Sequence, residues 1–212
     1  MCGIIAVVRR PSTRPTPRAS EVINLVAGLG ATVANAEDIT AALSVAGGRL
    51  AEADGLLRGV PGLRLMLADD ALASSLRHHC GQLLDVVVAE EERLEREGGL
   101  DTNDLERRNY EFIRARDGIW AITRDRLRAA EVVASLSGGS TDGAALDAFL
   151  SIHQALSALD RLEVRGRDSA GLHLLIHDHA LDLDDPAVLA EINRRSGDIN
   201  YGTGSVRVLD GV

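Results

Sequence analysis

The residue with the clearest capacity for chemistry is Cys2, in the opening stretch "MCGIIAVV". Loss of Met1, which a small second residue favours, would leave the thiol and the α-amine of Cys2 on one Cα. A free α-amine titrates at about 7.7–8.0, far below a lysine. It can take the thiol proton, directly or through a water, and act as general base without a histidine. The thiolate is the attacking form of a cysteine. Gly3 carries no Cβ, so backbone and substrate can approach closely. The pattern is that of an N-terminal nucleophile.

Other chemistry-bearing clusters are weaker. His173, His177 and His179 alternate along "HLLIHDH" and would share one face of a strand. Three imidazoles could hold zinc. The opposite face, with Leu172, Leu174 and Ile176, is the apolar one, so a solvated row of histidines is the reading taken and no metal is assigned. "HHC" at 78–80 lies on adjacent helix positions, which point apart. "GLG" at 28–30 follows no strand and is not a dinucleotide fingerprint. The acidic run near 90–97 reads as a solvated helix face.

The elements that would position Cys2 follow from pattern. Residues 3–8, "GIIAVV", are β-branched and apolar, as in a strand buried on both faces. "RRPSTRPTPR" at 9–18 is a Pro-rich loop. From Ser20, a plausible N-cap, apolar residues recur at helical spacing, interrupted by Gly28, Gly30 and the Gly47–Gly48 pair. Further helices are expected over 62–78 and 82–97. One long helix is expected from Thr102 to about Leu136, with Gly118 as a potential break. "SGGSTDG" at 137–143 is a loop, and a helix follows from 144 to about 163. The turn "VRGRDSAG", a strand "LHLLIHDHALDL", a short helix with Pro186 in its first turn, and a last strand within 197–212 complete the reading. A strand parted by a helical block from a helix–turn–strand unit reads as a host domain carrying an insertion. The host is 1–18 with 141–212, and the insertion is 19–140.

Composition bounds the function. The 212 residues are 45% hydrophobic but only 2% aromatic, so the core must be built from Leu, Val, Ile and Ala. All 23 basic residues are Arg, and the net charge of -9 argues against a nucleic-acid partner. No apolar run approaches the ~20 residues of a membrane span, and "MCGIIAVVRR" lacks the layout of a signal peptide. Two cysteines, Cys2 and Cys80, make no disulfide framework, so a cytoplasmic location is expected.

The stretch "RLEVRGRDSAG" at 161–171 resembles the "RLEYRGYDSAG" element of class II glutamine amidotransferases, those with an N-terminal cysteine. "MCGI" at the extreme amino terminus is similar to that family's other hallmark. The preceding "RLE" favours the version in glutamine–fructose-6-phosphate aminotransferases over the amidophosphoribosyltransferase version. The resemblance covers about a fifth of the chain. It implies that Cys2 attacks the glutamine side-chain amide to give a thioester and ammonia. It implies that Arg165 and Gly166 help to shape the glutamine pocket. Asp168, Ser169, Ala170 and Gly171 match the rest of the motif as a structural corner between helix and strand. The implied fold class is α+β, a partial Ntn-hydrolase αββα sandwich with a mostly helical insertion. Implied partners are glutamine and fructose 6-phosphate, with a homo-oligomer at full length and no cofactor.

The sequence departs from the family pattern. Val164 and Arg167 stand where the family carries tyrosines, and the helical block separates elements normally close in sequence. Closing so long an insertion costs little entropy if its ends lie together. No His-Thr-Arg and no Asn-Gly pair occurs, although the family uses such elements for the substrate and the oxyanion hole. The expectation is therefore a fragment, inactive alone, of a longer or split enzyme. The alternatives are an amidophosphoribosyltransferase-like enzyme and a non-catalytic regulatory or interaction module on the same scaffold.

Overall fold

The computed structural model describes residues 5–97, 101–162, 172, 174 and 181–199. The chain divides into two compact units, Met1–Arg167 and Asp168–Val212. In the first, the helices are α1 (Ala19–Val26), α2 (Leu29–Ala34), α3 (Ile39–Leu57), α4 (Gly59–Ala68), α5 (Asp70–Glu97), α6 (Thr102–Trp120), α7 (Leu127–Leu136) and α8 (Gly143–Leu162). A π-helical segment, Ala121–Arg126, joins α6 to α7. The second unit holds α9 (Pro186–Ser196).

Local chemistry sets the helix ends. The Glu21 carboxylate accepts the Arg18 N–H at 3.0 Å, so α1 starts at Ala19 and Ser20 lies inside it rather than capping it. Gly28, at φ 72°, makes the left-handed turn between α1 and α2 that a side chain would resist. Asp38 caps α3 by accepting the Ala41 N–H at 3.0 Å, and Asp101 caps α6 through Asp104 N at 2.9 Å. In the second unit, Asp185 accepts the Ala187 N–H at 2.7 Å, and Pro186 occupies the first turn of α9, as the sequence predicts.

Helix α3 is the central element, packing on α1, α2, α4, α6 and the π-helical segment, while α8 packs on α4 and α7. The core is aliphatic: Val22, Leu43, Leu50, Leu57, Leu76 and Leu146 are among its fully buried residues. Phe112 is the one aromatic buried there among the described residues. α3 and α6 approach closely because Gly118 faces Leu50, and a Cβ on Gly118 would stand 2.8 Å from Leu50 Cβ. The π-helical segment turns Arg126 back onto α3, where its Nε donates to Asp54 Oδ1 at 2.7 Å. Arg58 Nε donates to the other carboxylate oxygen at 2.8 Å, so Asp54, buried in α3, carries two guanidinium partners.

The structure overturns the expected α+β class and with it the partial αββα sandwich. The described residues that adopt regular structure are helical. Residues 5–8, expected as a buried strand, have no regular structure, and Val8 is 91% exposed. A strand satisfies its backbone donors and acceptors only beside another strand. None flanks this segment among the described residues, whereas a helix satisfies its own. Leu172, Leu174 and residues 181–182 of the second expected strand are also irregular and Leu183 is in a turn, while its other residues lie outside the described ones. The last expected strand falls almost wholly outside them; within it, residue 197 is in a turn, 198 in a bend and 199 is helical.

Candidate functional site

Cys2, Arg165, Gly166, Asp168, Ser169, Ala170 and Gly171 all lie outside the described residues, as do His173, His177 and His179. What the structure does describe is the chain on either side of them. On one side is the segment that follows Cys2. On the other is α8, which ends at Leu162, three positions before Arg165.

Arg9 joins these two. Its Nη1 donates to Asp147 Oδ1 at 3.1 Å, and its Nη2 donates to Gln154 Oε1 at 3.0 Å. Asp147 and Gln154 sit two turns apart on one face of α8, so a single guanidinium bridges both. The ion pair is sheltered, with the two side chains 23% and 21% exposed. Gln154 lies about 12 Å of helix from Leu162 at ~1.5 Å per residue. The Arg9 Nε is buried and has no hydrogen-bond partner among the described residues.

Arg14 anchors the same segment elsewhere. Its guanidinium donates to the carbonyls of Gly55 at 2.6 Å and Leu56 at 3.1 Å, and also to that of Arg58. These carbonyls lie at the carboxyl end of α3, where a cation also meets the negative end of the helix dipole. The Pro-rich loop is therefore held at two points. Neither anchor is legible in the sequence, because Arg9 and Arg14 are two of many arginines in a polar stretch. Their partners lie 138 and 41 positions away.

The remaining reactive side chains are disposed as follows. Cys80 is buried on α5, and burial pushes its thiol up to about 12, which makes it a poor nucleophile. His78 and His79 meet edge to face with ring centroids 5.3 Å apart; they do not converge on Cys80. Among the described residues no three His, Cys, Asp or Glu side chains are grouped to hold a metal ion. His153, on α8, is held below its usual titration range, chiefly by burial and then by the nearby Arg128, with Asp125 opposing. A cleft of about 440 Å³ between α4, α5 and α7 has Met66, Leu127 and Ala130 in its walls, with Asp70 and the Arg77–Glu131 ion pair alongside. It contains none of the residues the sequence singled out. Among the described residues no helix is long and apolar enough to cross a membrane.

Neither protein-family models, nor curated proteins, nor solved structures give a match to this chain.

Proposed function

We propose that this chain supplies the nucleophile-bearing part of a glutamine amidotransferase, with its cysteine element and its "RGRDSAG" element separated by a helical body. Cys2 attacks the side-chain amide carbon of glutamine, forming a C–S bond. The C–N bond then breaks, and the nitrogen leaves as ammonia with the proton that the α-amine took from the thiol. Water cleaves the thioester to glutamate and restores the thiol. Arg165 and Gly166 take the glutamine-pocket role that the resemblance implies. The ammonia is used on fructose 6-phosphate to make glucosamine 6-phosphate, in a cytoplasmic enzyme that works as a homo-oligomer.

The Arg9 bridge carries this reading. It ties the segment that follows Cys2 to the helix that precedes Arg165, across a sequence separation of 138 positions. An insertion between two halves of one site requires its ends to be held together in this way. The burial of Cys80 adds support, because it leaves Cys2 as the cysteine suited to nucleophilic work.

The test has two parts. Intact-mass analysis is expected to find Met1 removed, and an aldehyde probe is expected to form a thiazolidine at Cys2, which only a free 1,2-aminothiol can do. Glutamate release from glutamine is then measured on the longest natural polypeptide that contains this chain. It is expected to vanish in Cys2→Ser with helicity unchanged. Retention of Met1, or glutamate release that survives Cys2→Ser, defeats the assignment.

A further inference from the structure

The cleft of about 440 Å³ lies where α5 and α7 stand apart. Each helix presents one face to it: Asp70, Ala73 and Arg77 from α5, and Leu127, Ala130, Glu131 and Ala134 from α7, at spacings of three and four. The space is there because alanines occupy the facing positions 73, 130 and 134. The end of α4 adds Met66, so the walls are apolar and the charges stand at the rim. The volume falls within the ~300–1,000 Å³ of small-molecule sites. The Arg77–Glu131 ion pair crosses from one helix to the other, and the loop before α8 contributes Thr141. A cleft crossed in this way takes a small molecule rather than a helix laid along it.

Electrostatics select the sign of the guest. Arg77 is paired with Glu131, whereas the Asp70 carboxylate makes no ion pair and no side-chain hydrogen bond among the described residues. The rim therefore carries one negative charge in excess. The backbone adds to it. Met66 lies in the last turn of α4 and Ala134 in that of α7, so the negative ends of two helix dipoles border the cleft. Neither helix has a basic residue in its last turn to offset that end. The opposing dipole, the amino end of α5, is already met by Asp69, whose carboxylate accepts the Leu72 N–H at 3.1 Å. An anion would face an unpaired carboxylate and two carboxyl ends. A cation with an apolar body matches both rim and walls.

We propose that this cleft is a binding site for a small apolar primary amine, whose ammonium group pairs with Asp70 and whose hydrocarbon body lies on Met66, Leu127 and the alanines. Ala73, Ala130 and Ala134 set the room for that body, and Asp70 sets the preference for a positive head. The site uses none of the residues of the glutaminase reading, and neither stands or falls with the other.

Calorimetric titration of the purified protein at neutral pH tests the proposal, with n-hexylamine, 1-hexanol and hexanoate as probes of one length and three charges. Hexylammonium is expected to saturate a single site, about tenfold more tightly than either of the others. Asp70→Asn is expected to weaken hexylammonium about tenfold and to leave 1-hexanol unchanged, because only the charge is lost. Ala73→Leu, which fills the cleft from a half-buried position, is expected to abolish the binding of both. Asp70 is exposed, so Asp70→Asn leaves the core intact and is decisive even if Ala73→Leu does not fold. The proposal is overturned if hexylammonium shows no saturable binding, or if hexanoate binds as tightly. It is overturned equally if Asp70→Asn, or a folded Ala73→Leu protein, binds hexylammonium as the wild type does.

Discussion

The Cys80 thiol shares the inner face of α5 with Leu76 and Leu83, and all three are almost wholly buried. Burial raises its pKa from 9.0 to about 12. In the native protein it is therefore the neutral thiol that is stable, while the unfolded chain ionises first as pH rises. The folded pKa is the higher one, so the stabilisation is fully present below about 9 and is lost as pH climbs towards 12. Urea midpoints are expected to fall over that window in the wild type and to fall less steeply in Cys80→Ala. In a Cys2→Ser background, a thiol reagent at neutral pH is expected to react only after denaturation. Rapid reaction of the native Cys2→Ser protein would contradict the burial argument. At this scale the sequence was a partial guide. That "HHC" forms no single cluster could be read from helix geometry, because successive positions diverge by ~100°. The two anchoring arginines could not, because nothing local distinguishes Arg9 and Arg14 from Arg10 and Arg18.

Glycine defines the elements in two opposite ways. Gly28 ends a helix because its backbone is left-handed there, and that break was legible. Gly47 and Gly48 were expected to interrupt the next helix, yet α3 runs straight through them. Gly47 is buried, and a Cβ there would stand 3.3 Å from Arg114 Cγ, so its smallness serves the packing of α3 on α6. Gly118 likewise does not break α6, because it makes room for Leu50. Gly118→Ala is therefore expected to destabilise the protein by about 1–3 kcal/mol through overpacking. Gly48→Ala, whose new methyl would find its nearest neighbour 3.9 Å away, is expected to stabilise it by about 0.5–1 kcal/mol through helix propensity. Thermal or urea unfolding of the two variants, which should move in opposite directions, checks both. Boundaries were harder to read than identity. The helices expected at 62–78 and 82–97 are in fact divided at Asp69, and the helix expected from Thr102 to Leu136 contains a π-helical segment. The strand expected at 3–8 rested on β-branched composition alone. Such composition makes a strand only when a neighbour accepts its backbone bonds, and a single segment cannot declare that neighbour.

Across the larger unit, Arg9 and Arg14 strap the amino-terminal segment onto the helical body at two separated places. Arg9→Ala removes the bridge to Asp147 and Gln154 while leaving the Arg14 contacts with α3. Brief thermolysin digestion is expected to cut before Val7 or Val8 several-fold faster in this variant, with the helical content by far-ultraviolet circular dichroism unchanged. Equal cleavage rates in the two proteins would show that Arg9 does not restrain the segment. The helical character of 19–140, the aliphatic make-up of the core and most of the helices were legible, because amphipathic spacing over long stretches is a strong signal; the fold class was not, because it rested on the two ends read as strands. The joining of residue 9 to residue 147 was not, because it depends on two side chains that meet only after the rest of the body has formed.

The distance in sequence between Arg9 and its acceptors also imposes an order on events during synthesis. Asp147 leaves the ribosome 138 residues after Arg9, an interval of about 7–28 s at 5–20 residues per second. Throughout that interval the nascent amino terminus is not yet fastened to α8. The removal of Met1 that the proposed function requires has that interval in which to finish before the strap closes.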